Sequence, residues 1–222
     1  MTGLQKLRIF DDKRHNPAVG SCYGRTLLGR LLVVGMSHYG DEGDVRWPGF
    51  THMIVGQVIE GKRKIPYFTK IASLFRSESG DSYLVPEFYS AIAFYNFLPD
   101  HFVRPRQMTT QEQCKHPETQ RFLFKVIDLL TPDHMIVTGE NLWRLLPAYH
   151  PDDSEISRVS DDSSNLDIPF ESKETECFWY RRADGGYCLV GAITHPSSWR
   201  KFSEKREEIG EWTAKFIARR HA

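Results

Sequence analysis

The chain has 222 residues, 40% of them hydrophobic, 13% aromatic and 26% charged. That is the composition of a globular protein with a large core, and it excludes a disordered chain, a collagen-like repeat and a small disulfide scaffold. Lys plus Arg and Asp plus Glu each total 29, so the formal net charge is zero and charge alone selects no class of partner.

The segment Met1–Asp12 mixes Lys, Arg and Asp with no apolar region. It predicts no secretion signal, and so a cytoplasmic or otherwise intracellular protein. The first apolar run, Arg30–Met36 (RLLVVGM), predicts a buried strand and is far too short to span a membrane. Helical patterns follow over Thr51–Glu60 and Lys64–Phe75. A second strand is expected at Ala91–Phe97 (AIAFYNF), a helix at Thr119–Leu130, a third strand at His134–Thr138 and a helix at Glu140–Leu146. The fourth strand is Tyr187–Thr194, and Asp184-Gly185-Gly186 before it is a good hairpin turn. A helix over Ser203–Arg219 closes the chain.

None of the four strand runs shows clean alternation, as expected of strands covered on both faces. Strands alternating with helices predict one α/β domain over residues 1–222. Its architecture would be a three-layer α/β/α with a central, mainly parallel four-stranded sheet. Between His150 and Glu176 nine acids stand against two bases, leaving 27 bases against 20 acids elsewhere. The Ser- and Asp-rich stretch at about 149–173 is expected to be an acidic surface loop. Cys22, Cys114, Cys177 and Cys188 form no CxxC pair and suit reduced core positions better than disulfides.

Ligands of such sheets bind outside the carboxyl ends of the strands. Three clusters fall there: Gly35-Met36-Ser37-His38-Tyr39, then Asn96, then His195-Pro196-Ser197-Ser198-Trp199. No HxxxH or HxH spacing occurs, and GxSxG, P-loop and GxGxxG fingerprints are absent. No metal or cofactor is expected.

In order and placement these clusters resemble the uracil-DNA glycosylase superfamily, from about Arg30 to Trp199. That family carries a Gly-x-Asp/Asn-Pro loop after its first strand, an Asn ending the second and a His-Pro-Ser loop after the fourth; Gly139 also suits its strand-then-Gly pattern. The resemblance implies a monofunctional DNA glycosylase that flips uracil or a related damaged base from single- or double-stranded DNA and hydrolyses its N-glycosidic bond. His195 would stabilise the departing base as catalytic donor. Asn96 would read the base edge, because its amide offers an acceptor and donors together. Phe50 would stack on the base, Tyr39 would crowd C5, and Gly35 and Met36 would line the base site. Ser197, Ser198, Trp199 and Arg200 would contact DNA, with Trp199 as a wedge. The departure is Ser37, which stands where many members carry Asp or Asn to position water; His38 likewise replaces the usual Pro. A protein of the same fold that binds DNA, RNA or a nucleobase without cleaving it is the competing expectation.

Overall fold

The structure is a computed structural model and describes residues 3–5, 10, 16–39, 49–77, 79–98, 101–102, 111–159, 177–198, 204 and 206–219. Its strands are β1 (Ala18–Val19), β2 (Leu31–Gly35), β3 (His38–Tyr39), β4 (Ala93–Asn96), β5 (His101–Phe102), β6 (His134–Thr138), β7 (Tyr149–His150), β8 (Asp153–Val159), β9 (Phe178–Arg181) and β10 (Tyr187–Ile193). Its helices are α1 (Phe50–Ile59), α2 (Pro66–Ala72), α3 (Val85–Ala91), α4 (Gln111–Lys115), α5 (Pro117–Leu130), α6 (Glu140–Leu145) and α7 (Arg206–Ala218).

The four expected strands form a parallel centre in the order β4-β2-β6-β10. The sheet does not stop at four strands. Antiparallel β1 extends it beyond β4, and β9, β8 and β7 extend it beyond β10, giving eight among the described residues. A separate two-stranded sheet pairs β3 with β5, so the chains leaving β2 and β4 continue side by side. The β9–β10 hairpin closes on the expected turn, where the Arg182 amide donates to the Gly186 carbonyl at 2.8 Å.

The acidic stretch departs from expectation. It begins with strands β7 and β8, not a loop, while residues 160–176 lie outside the described residues. Nothing in DSEISRV favours a strand strongly; the edge of β9 recruits it, pairing Arg158 with Tyr180 and Val159 with Trp179.

Parallel partners share a face, and faces alternate along each strand. The register therefore puts Val33, Gly35, Phe94, Asn96, Ile136, Thr138, Gly191 and Ile193 on one side. Helix α2 covers that side, since Phe68 packs its ring 5.2 Å from Phe94. So does α7: a Cβ on Gly191 would stand 2.6 Å from Phe216 and 2.8 Å from Trp212, so glycine lets the helix lie close. Cys188 alternates to the opposite side with its partner Tyr180, and there Phe124 of α5 packs 5.1 Å from the Tyr180 ring. Among the described residues no helix is long and apolar enough to cross a membrane.

Proline sets two of the helix starts that matter here. Ile65 before Pro66 is extended (φ −114°, ψ 115°), so α2 begins at Pro66 and not at Lys64. His116 before Pro117 is likewise extended, and α5 ends on Thr131 in the left-handed region (φ 43°). No disulfide joins the four cysteines; Cys114, Cys177 and Cys188 are buried. Burial pushes the Cys114 thiol up to about 11, which keeps it protonated and unreactive.

Candidate functional site

The carboxyl ends of β2, β4, β6 and β10 bring Gly35, Asn96, Thr138 and His195 to one edge of the sheet. Gly35 and Asn96 are register partners, and the Phe97 amide donates to the Gly35 carbonyl at 2.9 Å. Gly35 has a steric reason to be glycine. A Cβ there would run into Asn96 Oδ1 and stand 3.1 Å from the Tyr67 hydroxyl. The missing side chain is what lets the Asn96 amide lie over the end of β2, where it is 5% exposed.

Tyr67, the second residue of α2, covers this edge. Its hydroxyl is 2.8 Å from Thr138 Oγ1, and Thr138 Oγ1 donates to the Val34 carbonyl at 3.2 Å. Thr138 has one proton, so Tyr67 must be the donor to Thr138, leaving the phenol oxygen as an acceptor. Burial pushes the Tyr67 hydroxyl well above its ordinary range, although the Thr138 bond opposes that, and the group stays protonated.

The Tyr67 ring also lies 5.5 Å from the His195 ring, tilted by 44°. Gly139, with φ +106°, opens α6 directly beneath His195; a Cβ there would sit 3.3 Å from His195 Cβ. The His195 loop is tied by its own backbone. The Ser198 amide donates to the His195 carbonyl at 2.8 Å, and the Ser197 amide donates to His195 Nδ1 at 3.1 Å. With Nδ1 accepting, a neutral imidazole must carry its proton on Nε2. Desolvation lowers the affinity of His195 for a second proton, and the nearby Lys70 charge lowers it further. The ring is thus a neutral Nε2–H donor at neutral pH.

Ser37 follows β2 and is 9% exposed. Its hydroxyl has no hydrogen-bond partner among the described residues. A buried hydroxyl in that state costs about 1–3 kcal/mol, an expense normally avoided unless a water or ligand completes it.

The residues singled out in the sequence divide four ways. Gly35, Asn96 and His195 come together at one edge, with Ser37 two residues beyond Gly35. Met36 packs partly buried against the core, and its carbonyl accepts from the Leu98 amide at 2.8 Å. Phe50 is buried as the first residue of α1, but the ring found against His195 is that of Tyr67. The backbone of Tyr39 pairs with Phe102, and its side chain lies outside the described residues, as do Trp199 and Arg200. Ser197 and Ser198 are exposed and engage His195 through their amides.

Sequence reasoning missed Tyr67, Thr138 and Lys70. The available signal was Pro66 at a helix start, with Tyr67 and Lys70 one turn apart. Among the described residues no group of three or more His, Cys, Asp or Glu is placed to hold a metal ion. No family model matches this chain, and no curated protein matches it either.

Proposed function

We propose that this protein is a DNA glycosylase of the uracil-DNA glycosylase type, acting inside the cell on uracil or a related damaged base in single- or double-stranded DNA. The three-layer α/β/α architecture of that type belongs to the same reading; α5 and α7 on opposite faces of the sheet support it. One observation carries the functional reading: His195 is held as a neutral Nε2–H donor at the same strand edge as a buried Asn96 amide.

Breaking an N-glycosidic bond leaves negative charge on the departing base and positive character on the sugar. A preorganised neutral donor aimed at a base oxygen stabilises that charge without itself carrying one into the ground state. The Asn96 amide would accept from N3–H and donate to O4 of a flipped uracil. Ser37 would orient the water, the buried hydroxyl supplying a hydrogen bond rather than a base. The amides of Ser197 and Ser198 are engaged internally, so their hydroxyls remain the groups for flanking phosphates.

The test is incubation of the full chain with uracil-containing single- and double-stranded oligonucleotides, followed by alkali. Strand breaks at uracil are expected, and a panel of modified bases then ranks the substrates. Retention of the oligonucleotides without breaks would replace this reading with a non-cleaving nucleic-acid binder.

A further inference from the structure

We infer that Lys70 is a positioning residue that acts through His195, tying α2 to the His195 loop and holding the imidazole in its neutral Nε2–H form. Lys70 Nζ donates to the carbonyl of Pro196, the residue after His195, at 2.5 Å across 126 positions of sequence. The same loop carries the Ser197 amide that donates to Nδ1. Lys70 therefore holds the loop in the geometry that selects the tautomer, and it brings a positive charge close to the ring. A second proton on the imidazole would both break the Ser197 bond and face that charge.

The neighbours of His195 make Lys70 the group for this task. Helix α2 contributes Lys70 and Tyr67, and Tyr67 is a neutral phenol whose proton is engaged by Thr138. The β6–α6 junction contributes Gly139 and, next to it, Glu140, which Arg144 pairs at 2.6 Å. Lys70 is the one cation among the described residues that lowers the proton affinity of His195, after desolvation. The placement has a chemical consequence. A neutral imidazole beside an ammonium stabilises a developing anion more than a neutral imidazole alone, while remaining unprotonated at lower pH.

The catalytic meaning of this arrangement rests on the glycosylase reading; the titration does not. The experiment is histidine titration by two-bond proton–nitrogen NMR on the full chain, labelled at histidine nitrogens. Parent, Lys70→Met and Lys70→Arg are compared, with His195→Gln to assign the signal. The parent is expected to show the Nε2–H tautomer. Lys70→Met should titrate His195 at higher pH than the parent, and Lys70→Arg, which keeps charge and donors, should titrate close to the parent. A Lys70→Met imidazole that titrates at the parental pH or below overturns the inference. If the parent releases uracil, the deficit of Lys70→Met should widen as pH falls below about 6.5, the ordinary histidine value. If the parent releases no base, the glycosylase reading fails while the titration still judges Lys70.

Discussion

The two ends of the parallel strands use their polar side chains differently. At the amino ends, Arg30 grips Asp133 through Nη2 (2.6 Å) and Nε (3.2 Å), and its Nη1 donates to Thr131 Oγ1 at 2.7 Å. Arg182, 7% exposed, donates from Nη1 to the carbonyls of Pro132 and Tyr187 at 2.8 Å each, and from Nε to Asp184 at 3.0 Å. Each of these charges is paired and each carbonyl is satisfied. At the carboxyl ends, Ser37 keeps a buried hydroxyl without a partner among the described residues, and the hydrogen bond from the Ser197 amide to Nδ1 leaves the His195 proton on Nε2. Gly35 and Gly139 keep side chains out of the same place. One end uses its polar groups to hold the sheet together. At the other, the Ser37 hydroxyl and the His195 ring are the groups that a ligand would engage under the proposed function.

The contrast is broken most directly at His195. His195→Ala should slow single-turnover base release on the order of a hundred- to thousandfold, about 3–4 kcal/mol, because one preorganised donor to a developing anion is lost. Enzyme must be saturating, so that weak binding does not imitate slow chemistry. Thermal stability should barely move. A variant that releases base at the parental rate removes His195 from the mechanism.

The other end should respond in the opposite way. Arg182→Ala leaves the Pro132 and Tyr187 carbonyls without their donor, and stability should fall by about 2–3 kcal/mol, read from the urea midpoint. Base release per folded molecule should stay parental. The two ends also separate by pH. Desolvation, with Lys70 behind it, places the folded His195 value below its ordinary 6.5. The unfolded chain then binds the extra proton more readily, so this part of the stability is present above about 6.5 and is lost as pH falls from there toward the folded value. For Asp133, burial pushes upward but the hydrogen bonds and charge of Arg30 outweigh it, so its folded value lies below 3.8. Its contribution persists above 3.8 and disappears only as pH falls through that lower value. Acid titration of stability should therefore show a first loss that His195→Gln reduces, with half-buried His52 supplying a further part. A second loss should follow that Asp133→Asn reduces, beside the parts due to Asp152 and Asp184.

The parallel core was legible because RLLVVGM, HMIVT and YCLVGAIT are apolar, β-branched and bounded by turn residues, and the real strands begin and end within a residue or two of those runs. Residues at the ends of legible strands were legible too, which is why Gly35, Asn96 and His195 could be named. Helix α3 was hidden because VPEFYSA is short and its Pro86 reads as a break, although proline in a first turn is a helix start. Strand β8 was hidden because its stability comes from the β9 edge and not from its own residues. Tyr67 and Lys70 were hidden for a related reason. Their partners lie 71 and 126 positions away, and no local pattern encodes contacts at that range.

Gly139 sharpens the comparison at smaller scale. Its φ of +106° is strained for any L side chain, and a Cβ would press on His195 at 3.3 Å. Gly139→Ala should cost about 1–3 kcal/mol of stability, from the backbone conformation. Base release should fall as well, since His195 is the atom group that must yield. The loss of activity in folded protein, measured at a temperature where the variant is fully native, is the informative quantity. A variant that loses stability alone would show that Gly139 serves the backbone and not the imidazole.

Ser37 carries the smallest expected effect and the most diagnostic one. Its hydroxyl is buried and without a partner among the described residues, so removing it leaves nothing unsatisfied behind. Ser37→Ala should therefore keep the stability of the parent or gain slightly, an outcome opposite in sign to Arg182→Ala. If that hydroxyl orients the attacking water, base release should nevertheless fall about tenfold, near the weak end of such assistance. Ser37→Asp and Ser37→Asn bring the loop closer to the glycosylase pattern and should raise base release above that of Ser37→Ala. The side chain would then be retained for what it does to a ligand at a small cost to the fold. Urea midpoints and single-turnover rates for the three variants decide it. A Ser37→Ala protein that is less stable and equally active would make the hydroxyl structural and move the search for the water-positioning group to another residue of that loop.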